Sequence, residues 1–89
     1  MIIQTRKSWD KSYKKLDQKI KNKVIETISI FSENPTNYIL NNHKLKWLQN
    51  NLRSINVTWD YRILFVELSN NTYELVEFVD IWTHSQLYK

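Results

Sequence analysis

The 89-residue chain has no cysteine, no glycine and no alanine, and only one proline. Without cysteine there is no disulfide framework, no thiolate metal site and no cysteine nucleophile, and a reducing cytoplasm is the expected compartment. Without glycine, phosphate-binding loops and dinucleotide fingerprints cannot be built, so most nucleotide-dependent enzyme classes drop out. No Ser-His-Asp arrangement is evident. Apolar runs are only a few residues long, as in Ile63-Leu64-Phe65-Val66, so no membrane span and no signal peptide are expected.

What is present excludes disorder: aromatics make up 13% of the chain and hydrophobic residues 42%. This length predicts a single domain over 1–89. A chain this short buries only about 60–65% of its unfolded surface, so a partner that covers apolar area would matter to it. Lys, Asn and Ile together supply about a third of the residues. Their codons are AT-rich, whereas those of Gly and Ala are GC-rich, so the bias reads first as genome composition.

The formal net charge is +4, unevenly spread. Eight basic residues fall between Arg6 and Lys23, a stripe suited to polyanions or simply to solvent. The second half carries Asp60, Glu67, Glu74, Glu77 and Asp80 and is mildly acidic.

Met1 to Arg6 is β-prone. Apolar residues then recur every three or four positions at Tyr13, Leu16, Ile20, Val24, Ile28 and Phe31, which is one helical face. Ser8 and Asp10 are candidate caps for a helix over about 9–16, and Asp17 for a second over about 18–33. Asn34-Pro35 stops the hairpin, because the residue before proline is pushed out of helical geometry. A loop to about residue 50 is expected. Leu52–Thr58, Tyr61–Leu68 and Tyr73–Ile81 are rich in Ile, Val, Tyr and Phe and read as consecutive antiparallel strands joined by short turns. The predicted fold is α+β, β-α-α-β-β-β, with the helical hairpin on a small twisted antiparallel sheet whose other face stays partly open.

Few residues are equipped for chemistry. His43 and His84 are the two histidines, each beside a break in regular structure. A free imidazole titrates near pH 6.5 and can give or take a proton. They lie too far apart in sequence, with no local ligand pair, for a zinc site, so no metal and no cofactor are expected. Arg53 and Arg62 carry planar guanidinium groups suited to phosphate, or equally to salt bridges with acidic strand residues. Asp60 is a turn former, and Tyr88 offers a ring for stacking on a base or for packing the C-terminus.

Four blocks taken in order are more specific than any one alone: His43-Lys44-Leu45, Leu52-Arg53-Ser54-Ile55-Asn56-Val57, Asp60-Tyr61-Arg62-Ile63-Leu64-Phe65 and Thr83-His84-Ser85-Gln86-Leu87-Tyr88. With Phe31-Ser32-Glu33-Asn34-Pro35, they resemble the RelE/ParE superfamily of type II toxins, and its YafQ-like branch in particular, nearly end to end. The resemblance implies a ribosome-dependent mRNA endonuclease in which the ribose 2′-OH attacks the adjacent phosphate without a metal. It also implies a cognate antitoxin, with operator DNA contacted only through the antitoxin complex. It places His84, His43, Asp60 and Tyr88 at the site. His84 would protonate the leaving 5′ oxygen, and His43 or Asp60 would remove or orient the 2′ proton. Arg53 and Arg62 would meet the phosphorane charge, with Lys44 and Lys46 as further RNA contacts. A ParE-like gyrase inhibitor and a nonenzymatic RNA- or ribosome-binding module are the alternatives.

Two departures from the family pattern stand out. Asn56 occupies a position where some YafQ-type sequences have a further histidine, so it can hydrogen-bond there but cannot relay a proton. Trp47, Trp59 and Trp82 stand where the family usually has glycine, as they would if UGA codons read as glycine in the host had been translated as tryptophan. Any of the three sites that needed φ > 0 would be strained by tryptophan.

Overall fold

The computed structural model describes residues 1–46 and 51–87. Strand β1 (Ile2–Thr5) leads into helices α1 (Lys7–Lys15) and α2 (Gln18–Glu33), followed by a 3₁₀ turn at Tyr38–Leu40. Strands β2 (His43–Lys44), β3 (Arg53–Asn56), β4 (Tyr61–Glu67) and β5 (Leu75–Thr83) come next, and a final helical turn, α3 (His84–Leu87), ends the described chain.

The expected helical stripe forms the core. Val24 and Phe31 are fully buried, while Tyr13, Leu16, Ile20 and Ile28 pack against them. Facing them from the sheet are Ile55, Ile63, Phe65, Val76 and Phe78. Phe31 sits edge-on to Phe65 with ring centroids 5.0 Å apart, and Trp9 packs on Phe78 at 4.8 Å. Aromatic pairs at such spacings contribute about 0.5–1.5 kcal/mol beyond area burial.

Asp17 caps α2 as its residue type predicts, accepting the Ile20 N–H at 2.9 Å. Ser8 and Asp10 do not cap α1. The helix begins two residues earlier than expected, behind Arg6, whose side chain makes no cap bond. Both residues serve partners outside the helix instead. Ser8 Oγ donates to the Val79 carbonyl, and Asp10 accepts from Thr5 Oγ1. Beyond Phe78, where the pairing with β1 ends, α1 therefore covers the edge of β5.

β3, β4 and β5 are antiparallel neighbours, as their short connections require. The sheet as a whole is five-stranded and mixed, in the order β1-β5-β4-β3-β2. β1 pairs with β5 in parallel, a non-local match across two helices and three strands of intervening sequence. β2 has only two residues and was hidden inside the expected loop. A register shift between Leu64 and Phe65 bends β4 against β5.

The face away from the helices is not bare. Leu45, Leu64 and Leu87 form a small second cluster there, with Leu52, Val79 and Trp82 packed on it.

Positive φ falls at Asn41 (48°), Asn51 (55°), Asn70 (57°), Asn71 (68°) and Tyr73 (57°). Asparagine tolerates this region because its short side chain bonds locally, so it takes over glycine's usual role. Neither Trp59 nor Trp82 has positive φ. The strain expected at those two positions is absent, and Trp47 lies outside the described residues. Among the described residues, no helix is long and apolar enough to cross a membrane.

Candidate functional site

The β3–β4 turn is built around Thr58. Its Oγ1 accepts the Asp60 N–H at 3.2 Å and the Tyr61 N–H at 3.0 Å. Its carbonyl accepts Arg62 Nη1 at 2.7 Å, and the same nitrogen donates to the Tyr61 carbonyl at 3.2 Å. Neither arginine forms the salt bridge with an acidic strand residue that its position in the sequence allowed. Arg62 braces the turn through Nη1 and retains Nε and Nη2 as further donors.

Asp60 projects from this turn to the end of β5. The His84 N–H is shared between the Asp60 carbonyl at 2.6 Å and its Oδ1 at 3.1 Å. His84 itself is exposed and is the first residue of α3. The helical turn starts with a reciprocal cap. Gln86 Oε1 accepts the Thr83 N–H at 2.8 Å, and the Gln86 N–H donates to Thr83 Oγ1 at 3.3 Å. This is the capping box of Ser/Thr followed three residues later by Glu/Gln. Residues Thr83 and Gln86 thus set where His84 sits, and the Thr-x-x-Gln spacing is the sequence signal that would have shown it. Trp82 is pinned beside them by its Nε1 donating to Asp80 Oδ2 at 3.0 Å.

Sheet register decides which of the expected residues share a face. Asn56, Arg62 and Trp82 lie in one row across β3, β4 and β5, one residue short of the Tyr61–Thr83 pair that leads to His84. His84, Asp60 and Arg62 therefore meet at one end of the sheet. Asn56 Oδ1 is buried in that row without a hydrogen-bond partner.

His43 pairs with Ser54, in the row of Leu64 and Asp80, on the same face as Arg62. Its Nδ1 lies 2.7 Å from the Asn41 carbonyl. A carbonyl only accepts, so Nδ1 carries the proton, and in the neutral ring Nε2 is the basic nitrogen. The backbones of β2 and β5 are three strand spacings apart, about 14 Å, which puts His43 across the width of the sheet from His84.

Arg53 is not part of this cluster. It pairs with Phe65, so it falls on the opposite face from Arg62, three residues further along the sheet. Its Nε donates to Asn42 Oδ1 at 2.9 Å, and Asn42 is held in turn by Pro35 and Tyr73. The expectation that both guanidinium groups meet one phosphate fails on this parity, since alternate strand residues face opposite sides. Lys44 pairs with Arg53 and travels with it. Lys46 is exposed just beyond β2. Tyr88 lies outside the described residues.

At the other end of the sheet, Glu67 organises the β4–β5 loop. It accepts N–H groups of Ser69 (2.9 Å), Asn71 (2.6 Å) and Tyr73 (3.1 Å) together with the Ser69 hydroxyl. Burial alone would raise the pKa of this carboxyl, but the Ser69 hydroxyl and the three backbone donors outweigh it and hold the group below its ordinary value.

A two-helix hairpin against a mixed five-stranded sheet is a fold this chain shares with solved YafQ and RelE toxins. Crystallised YafQ from E. coli superimposes with a TM-score of 0.75 at 22% identity, covering 99% of this chain and 98% of that one. The E. coli DinJ-YafQ complex gives 0.67 at 21% identity, covering 99% of this chain and 98% of that one. An archaeal RelE-RelB complex from Pyrococcus horikoshii gives 0.70 at 16% identity over 91% of both chains. No family model and no curated protein matches the sequence.

Proposed function

We propose that the chain is the toxin of a type II toxin–antitoxin pair and cleaves mRNA on the ribosome, in the cytoplasm. The observation that carries this reading is the clamp on His84. Its backbone is fixed by Asp60 and by the Thr83–Gln86 cap, while its residue stays exposed next to the row that holds Arg62.

In the proposed step the 2′-OH loses its proton, the 2′ oxygen bonds to the adjacent phosphorus, and the bond to the 5′ oxygen breaks. His84 gives that oxygen its proton, leaving a 2′,3′-cyclic phosphate and a 5′-OH. Of the two groups suggested as proton acceptors, Asp60 is the one beside His84. His43, three strands across the sheet and in the row of Asp80, four residues before His84 on the chain, suits a neighbouring nucleotide better. Arg62 stabilises charge on the phosphorane through the donors not engaged by the turn. Lys46, exposed just beyond β2, is assigned to RNA contact, as is Tyr88 on the ground of its residue type.

DinJ and RelB accompany YafQ and RelE in the neighbouring structures, which supports an antitoxin partner for this chain. An acidic segment that folds on binding would match the lysine-rich hairpin, and operator DNA would be reached only through that complex.

Primer extension on ribosome-bound mRNA tests the reading. Replacing His84 by Gln is expected to lower cleavage by about 10²–10⁴-fold and to abolish growth arrest, with the fold retained. A gyrase inhibitor or a passive RNA binder would keep its toxicity in that variant, and such an outcome would sink the nuclease assignment.

A further inference from the structure

Lys44 and Arg53 face one another as a cross-strand pair on β2 and β3. Like charges directly opposite on a sheet repel, so this pairing calls for a counter-anion. None is supplied within ion-pair distance: the salt bridges among the described residues are Arg6–Glu77 and Lys23–Glu26. The nearby carboxylate, Glu67, is anchored to its own loop by Ser69, Asn71 and Tyr73.

Both cations line a cavity of about 540 Å³ together with Glu67, Asn51, Asn70 and Asn71. That volume falls within the usual range for small-molecule sites, about 300–1,000 Å³. Arg53 is also held in advance of any ligand. Its Nε is fixed by Asn42, which the Tyr73 hydroxyl and the Pro35 carbonyl fix in turn. The terminal nitrogens of the guanidinium make no hydrogen bond among the described residues, so its forked end remains for an oxyanion.

We propose that this cavity binds one nucleotide of single-stranded RNA, with the phosphate on Lys44 and Arg53 and the base edge on the Asn70 and Asn71 amides. The proposal rests on the RNA-cleavage reading and adds a second contact to it at the far end of the sheet. Phe78, in the row of Arg53, and His84 are six residues apart on the chain, or about 20 Å along an extended strand. The site therefore holds RNA away from the scissile bond. Amide side chains both donate and accept, which suits base edges. An acidic peptide is disfavoured, because ordering it requires apolar burial and, among the described residues, the lining offers only Val66 and Leu68 as large apolar residues.

The probe is a short 2′-O-methyl oligoribonucleotide, which binds but cannot be cut by 2′-OH attack. Binding and cleavage are thereby measured apart, and loss of either leaves the other standing. Lys44→Gln, an exposed change that threatens no packing, is expected to weaken binding about threefold at low salt and to reduce the log–log salt slope by about 0.7. The Lys44→Gln/Arg53→Gln pair should lose roughly tenfold, with about 1.4 off the slope. Arg53→Lys, which keeps the charge, should restore the salt slope, a readout that a purely structural role in holding Asn42 would not move. Backbone amide shifts at Asn70 and Asn71 on adding the oligonucleotide would place the base. Unchanged affinity and slope in both glutamine variants would overturn the proposal. So would an effect confined to binding of an acidic peptide, with RNA binding untouched.

Discussion

The two ends of the sheet use the same device for different purposes. At each end one side chain gathers the donors of a tight connection: Thr58 in the β3–β4 turn and Glu67 in the β4–β5 loop. At the Glu67 end a charged group becomes the hub, and its oxygens are occupied by the loop it folds. At the Thr58 end a neutral hydroxyl does the gathering, so Asp60 is left to hold His84 and Arg62 keeps donors beyond the turn. At the Glu67 end the carboxylate's hydrogen-bonding capacity goes into the fold, whereas at the Thr58 end Arg62 is engaged through Nη1 and keeps Nε and Nη2 as donors.

Substitutions at matching places can break that contrast, beginning with the largest expected effect. Asp60→Asn keeps an oxygen for the His84 N–H but cannot take a proton. Cleavage should fall about 10²-fold or more while the melting temperature stays within a few degrees. A variant that melts early instead would move Asp60 to the architectural side. Glu67→Gln should do the reverse and leave the kcat of cleavage intact, any change falling on RNA affinity through the cavity it lines. It should cost about 1–2 kcal/mol through poorly satisfied donors, which for a domain this small is a drop of roughly 4–16 °C in Tm.

The same residue predicts a pH signature. Its folded pKa is depressed, so the unfolded state binds more protons between the folded and unfolded values. Glu67's contribution is therefore present above the unfolded value of about 4.3 and is lost as pH falls through the folded one. Denaturation titrations of Glu67→Gln should show a flatter acid limb than the parent chain. If both limbs coincide, the loop does not depend on this carboxylate.

Gln86→Ala removes half of the reciprocal cap and should cost about 0.5–1 kcal/mol. Because the cap sets the position of His84, kcat should fall several-fold with KM little changed. The smallest effect belongs to Trp59, which is 85% exposed and does not have positive φ. Trp59→Gly should change stability by no more than about 0.5 kcal/mol, and a large gain would indicate a backbone need for glycine there.

Much of the fold was legible because it is local. The three- and four-residue spacing from Tyr13 to Phe31, the Asp17 cap, the Asn34-Pro35 stop and the three β-rich runs all act within a few residues of one another. Non-local features were not legible. The parallel return of β1 onto β5 and the two-residue β2 leave no periodic trace, and Ser8 and Asp10 serve partners outside their own helix. The site divides along the same line. His84, Asp60 and Arg62 converge because two chain reversals bring them to one end. Arg53 was misplaced because its face depends on a register that composition does not set, and a shift of one residue moves every side chain to the other side.

The left-handed asparagines carry a consequence for how this chain folds. Glycine widens the denatured ensemble, and replacing it where the native dihedral is tolerated gains about 0.4–1 kcal/mol by narrowing that ensemble. A polypeptide with none begins its search among fewer conformers. Its reversals at Asn41, Asn51 and Asn70-Asn71 then trade a little native comfort for a smaller entropic loss, and restoring glycine at any of them should leave the net stability nearly where it was.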